Sequence, residues 1–163
     1  MQVVRYRKPK LVQYTTRPEA EVFTPPGRDL DIRKWDRIDT DLWMACFLRP
    51  DQHPEVYLVN SKHHLDGESL YWMTVEGKDR HEELSISKDY YETILRFAAA
   101  VINERNKLKY NLEMREWIQT RTKEKEQRLA REKREEEEEQ AQMEQNEQQE
   151  QNEQQVDPVP EQN

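Results

Sequence analysis

Ser69-Leu70-Tyr71-Trp72-Met73-Thr74-Val75 is the stretch on which the fold turns. Leu70, Trp72 and Thr74 alternate with Tyr71, Met73 and Val75, so a strand here is apolar on both faces. The alternation, lying between the turn signals Asp66-Gly67 and Gly77-Lys78-Asp79, reads as a strand. Two neighbouring stretches read the same way. Residues 42–48 are apolar throughout, and residues 55–60 hold Val56, Tyr57, Leu58 and Val59. Leu84 and Ile86, alternating with Ser85 and Ser87, suggest a short fourth strand. Connections this short favour antiparallel neighbours. The expected fold is therefore α+β: a small antiparallel β-meander of three to four strands packed by one long C-terminal helix, followed by a disordered tail.

The helix is the second strong signal. Tyr91, Ile94, Ala98, Val101, Leu108 and Leu112 fall on three-four spacing with Arg105 at the one intervening position, and Ser87 is placed as an N-cap. Good helix formers continue to Glu139 without Gly or Pro, which predicts one helix over residues 87–139. Its first half has an apolar stripe; its second half has no face to bury and should fray in isolation. From Gln140 the chain is mostly Gln and Glu, a composition expected to be disordered or marginally helical. The expected divisions are a basic arm and Pro-rich loop (1–27), an α+β domain (28–118), a charged helical extension (119–139) and a tail (140–163).

Charge is distributed by segment. The 163 residues carry a formal charge of -8. Residues 135–163 hold 11 acids and no base, which leaves a net +3 on residues 1–134. The first 18 residues contain five bases (Arg5, Arg7, Lys8, Lys10 and Arg17) and no acid. No apolar run approaches the ~20 residues that span a bilayer, so no membrane partner is expected. Cys46 is the only cysteine, which fits a reducing compartment, the cytoplasm or the nucleus. A buried, inert thiol in a strand is expected there. With three glycines the chain has no phosphate-cradling GxGxxG or GxxxxGK[ST] motif.

Neither a catalytic centre nor a cofactor is predicted. His63, His64, Asp66, Glu68 and His81 are metal-ligating types, but adjacent histidines on a strand point to opposite faces, and no HExxH is present. Five aspartates between Asp29 and Asp41 have as many bases beside them and read as a solvated surface.

Two binding functions remain. The first is a non-enzymatic binding or assembly protein, an accessory factor of a larger complex, for which a viral or phage setting is plausible. A protein partner or a second copy would dock through Tyr91, Ile94, Val101, Leu108 and Leu112 as in a coiled coil. The second is a single-stranded nucleic-acid-binding protein. Arg5, Arg7, Lys8 and Lys10 would meet phosphates, Trp43, Tyr57 and Trp72 would stack on bases, and the acidic tail would compete for the groove.

Overall fold

Helix caps, recurring about every ten residues, organise the chain. A computed structural model describes residues 7–16 and 20–156. A 3-10 turn, Ile32–Lys34, precedes five α-helices: α1 Arg37–Met44, α2 Pro54–His63, α3 Gly67–Glu76, α4 His81–Leu84 and α5 Lys88–Gln154. Among the described residues there is no strand, and the fold is all-α. This overturns the expected α+β meander. Residues 42–48 belong to the end of α1 and the turn after it, 55–60 to α2 and 69–75 to α3.

Burial gives the physical reason. In α1 the buried residues are Asp39, Thr40, Trp43 and Met44, while Leu42 is exposed. In α2 they are Val56, Val59 and Asn60, and in α3 Gly67, Leu70, Met73 and Thr74. Each set repeats at three or four, the period of a helix with one face in the core. The stop and start signals are local. Asp36 and Asp39 form a capping box, the Asp39 N–H donating to Asp36 Oδ1 at 2.8 Å and the Asp36 N–H to Asp39 Oδ2 at 2.9 Å. Pro54 occupies the first turn of α2. Asp66 accepts the Ser69 N–H at 2.9 Å to start α3, and Gly77 ends it in the left-handed region at φ 67°. Ser87 Oγ accepts the Tyr90 N–H at the start of α5.

The described chain divides into two compact units, Met1–Met114 and Arg115–Asn163. The first has a single core. Trp43 is fully enclosed, with its ring 4.7 Å from Phe47 in an edge arrangement and 5.7 Å from Trp35. Phe47 stacks on Phe97 of α5 at 4.1 Å, and Phe23 lies against both rings, 6.4 Å from Phe47 and 5.9 Å from Phe97. Residues Ala98, Ala99, Ala100, Val101 and Ile102 of α5 are all buried, so neighbours cover that turn on every side. Small alanine side chains permit such close approach.

The second unit holds the C-terminal part of α5. Every residue from 121 to 156 is exposed. The helix nevertheless continues to Gln154, where a disordered tail from Gln140 was expected. The Asp157-Pro158-Val159-Pro160 segment lies outside the described residues.

The α1 cap carries a pH signature. The Asp39 backbone N–H, seconded by its side-chain contact and by Arg28, holds the Asp36 carboxyl below the usual aspartate range. The folded state thus prefers charged Asp36. Its stabilising contribution is present above the ordinary titration near pH ~4 and is lost as pH falls through the lowered value. Asp36→Asn keeps a capping acceptor and removes the titration. Unfolding midpoints measured between pH ~5 and ~3 are expected to fall more steeply in wild type than in D36N. Equal acid slopes would contradict the assignment.

Candidate interaction surfaces

The N-terminal arm lies against α5. Residues 7–16 are extended, and their backbone groups have no strand to pair with. Asparagine side chains take that role. The Tyr14 N–H donates to Asn103 Oδ1 at 2.7 Å, and Asn103 Nδ2 donates back to the Tyr14 carbonyl at 2.8 Å. Asn106 Nδ2 donates to the Val12 carbonyl at 3.1 Å, and Thr16 Oγ to the Arg96 carbonyl at 2.9 Å. A carboxamide offers one acceptor and two donors, so it reads a peptide unit much as a β-neighbour does. A pocket of about 230 Å³ opens beside this contact, lined by Lys10, Tyr14, Tyr71, Asn106, Lys109 and Tyr110 among others.

A second surface joins the 3-10 turn to α3. Arg33 Nε and Nη2 donate to the two carboxylate oxygens of Glu68, each at 2.9 Å. The same guanidinium lies 5.0 Å from the Tyr71 ring and 5.4 Å from the Trp72 ring. The Trp72 Nε1–H donates to Glu68 Oε1 at 2.8 Å. These bonds, from Arg33 first and then Trp72, hold the Glu68 carboxyl below its usual range. The two charged side chains are largely exposed, so the ion pair contributes little to folding. Its effect is to hold Arg33 beside the exposed Trp72 and the half-buried Tyr71, residue types that dominate the energetics of protein interfaces. A groove of about 440 Å³ adjoins it, with Leu65, Met73 and Leu84 at its floor and Trp72 and Arg80 at its edge.

The aromatic platform anticipated for nucleic acid is not assembled. Trp43 is enclosed in the core and reaches no ligand. Tyr57 is half-buried, its hydroxyl donates to the Leu48 carbonyl at 2.8 Å, and burial pushes that hydroxyl up to about 12. Trp72 alone of the three is exposed, at 44 %. Arg7, Lys8 and Lys10 lie exposed in the arm, while Arg5 lies outside the described residues. The apolar stripe of α5 divides too. Tyr91, Ile94 and Val101 are buried in the chain's own core, whereas Leu108 and Leu112 are exposed.

The metal-ligating types are dispersed into other tasks. Asp66 caps α3, Glu68 holds Arg33, and His81 pairs with Asp79. Among the described residues no group of three or more His, Cys, Asp or Glu is placed to hold a metal ion. Cys46 is exposed rather than buried, in the turn after α1. No described helix is long and apolar enough to cross a membrane. Asn103 and Asn106 escaped the sequence reading, although amides within one turn of Ile102 and Leu108 were a visible interruption of an apolar stripe. Compared with known proteins, the chain matches no family model, no curated protein and no solved structure.

Proposed function

We propose that this chain is a non-enzymatic assembly protein, in which a small helical domain carries a long charged docking helix for a protein partner. One observation carries the reading: residues 121–154 of α5 are helical and wholly exposed. A helix with no buried face is marginal in water and gains order when a partner covers it. Its charge is segregated as well, basic up to Arg134 and acidic from Glu135 onward, which supports recognition of a complementary surface.

A second reading, binding of single-stranded nucleic acid, is favoured by one feature. Lys10 joins Tyr14, Tyr71 and Tyr110 on one pocket, where Lys109 is paired with Glu113 at 3.9 Å, bringing a cation and rings together away from the core tryptophans.

Affinity capture from a lysate separates the two. The bait is the full chain beside the full-length variant R128E/R131E/K133E/R134E, with and without nuclease. Protein partners retained by wild type after nuclease and lost by the variant are the expected result. Equal capture by both baits contradicts the docking helix. Capture abolished by nuclease selects the nucleic-acid reading.

A further inference from the structure

We infer that the exposed half of α5 pairs antiparallel with the same segment of a second copy, about a two-fold axis passing at Glu136. The inference rests on the docking-helix reading above and specifies its partner. Residues 115–134 carry eight bases and four acids; residues 135–154 carry nine acids and no base. Two copies side by side in parallel would set base against base and acid against acid. Reversing one copy sets each basic segment against an acidic one. The charge step therefore selects the antiparallel orientation.

The register follows from the few apolar side chains. Leu129 and Met143 are the two large apolar residues between 119 and 155, and they are 50 % and 60 % exposed. They stand seven residues before and seven residues after Glu136. At ~100° per residue, both fall within about 20° of Glu136 on one face of the helix. A two-fold at Glu136 brings Leu129 of each copy to the level of Met143 in the other. Lys125 then meets Glu147, and Lys133 meets Glu139. The acids on the basic side are accommodated in the same register, because Glu132 faces Gln140, Glu126 faces Asn146 and Glu124 faces Gln148. Moving the register by one residue sets Glu132 against Glu139 and Glu124 against Glu147.

The uncompensated contacts are Glu136 with its own copy and, flanking it, Glu135 with Glu137. Like charges held at the axis weaken the pair and mark its centre. The remaining pairs are exposed, where each ion pair adds little and salt screens it. The pairing is consequently weak, reversible and sensitive to ionic strength.

Sedimentation equilibrium of the purified full chain tests this. Wild type is expected to dimerise at ~20 mM salt and to dissociate at ~0.5 M. K125E/K133E makes the face acidic and E139K/E147K makes it basic, so each alone is expected to be monomeric. Mixed in equal amounts they restore every pair and should form a heterodimer. Glu136→Leu is expected to tighten the dimer about tenfold, whereas Glu138→Leu, on the opposite face, leaves it unchanged. A wild-type monomer at ~0.2 mM in low salt overturns the inference. So does a mixture that stays monomeric, or an E138L chain that tightens as much as E136L. None of these outcomes touches capture of a different protein by the same helix, which the lysate experiment reads separately.

Discussion

Trp43→Ala is expected to lower the unfolding free energy by about 3–5 kcal/mol, a large share of the ~5–15 kcal/mol typical of a domain. Trp43 is fully enclosed in α1, between Trp35 at the end of the 3-10 turn and Phe47 in the turn after α1. Its ring touches Trp35 and Phe47, and Phe47 in turn stacks on Phe97. Truncation leaves a cavity bounded by helix backbones that cannot collapse into it. Trp43→Phe provides the control. The indole N–H is buried without a hydrogen-bond partner, so its loss costs no bond and only volume is removed. Urea denaturation followed by circular dichroism should therefore rank wild type, then W43F, then W43A. A W43A midpoint close to that of wild type would contradict the placement of Trp43 at the centre of the core.

Gly67→Ala is the second severe substitution, and its cause is steric. A Cβ on Gly67 would stand 1.6 Å from the Ile32 carbonyl oxygen and 2.9 Å from the Trp35 Cβ. The Gly67 N–H also donates to the Trp35 carbonyl at 2.9 Å, which ties the first turn of α3 to the 3-10 turn. Adding a methyl forces these backbones apart, breaks that bond and disturbs Ile32 and Trp35, both core residues. The expected loss is about 3 kcal/mol or more. Gly77→Ala supplies the comparison. Nothing lies within 4 Å of a Cβ there, and only the left-handed backbone at φ +67° opposes it, a cost of about 1 kcal/mol. Thermal unfolding should place G67A well below G77A. The reverse order would contradict close packing of α3 on the 3-10 turn.

These two residues also mark what the sequence disclosed and what it withheld. Of the apolar residues in 69–75, Leu70 and Met73 lie in the core and Trp72 is exposed; alternation of apolar residues on both faces carries no information about period. A seven-residue run in which all but Ser69 and Thr74 are apolar fits a buried strand and a buried helical turn equally well. The deciding signals were the punctuation. Asp66-Gly67 is an N-cap followed by a close helix contact, and Gly77 is a C-cap; both were read as hairpin turns. Asp36 and Asp39, taken as part of a solvated charge surface, are a capping box. Pro54 opens α2. In α1, α2 and α3 a capping acid or a proline stands about ten residues before the next cap, Asp36 before Ala45, Pro54 before His64 and Asp66 before Gly77, and that is a helix length.

The long helix was legible because its 3–4 periodicity runs over several turns. Its site was legible only in part. Tyr91, Ile94 and Val101 face the chain's own core, since a stripe that docks on a partner and one that docks on its own domain look alike in sequence. The arm contact through Asn103 and Asn106 joins residues about ninety positions apart, a separation that local pattern does not encode. The charge step at residues 134 and 135 was fully visible, because it needs no fold to be seen.

Amide hydrogen exchange along α5 of the full chain measures the central claim most directly. The claim is that folding stability resides in residues up to Ile102, while residues 121–154 stay solvated until a partner covers them. In dilute solution at physiological salt, amides of residues 94–102 are expected to exchange orders of magnitude more slowly than those of 121–154. On concentration at low salt, or on addition of a captured partner, protection should rise within 121–154 and remain unchanged elsewhere. Slow, uniform exchange across the whole of α5 in the dilute protein would contradict it.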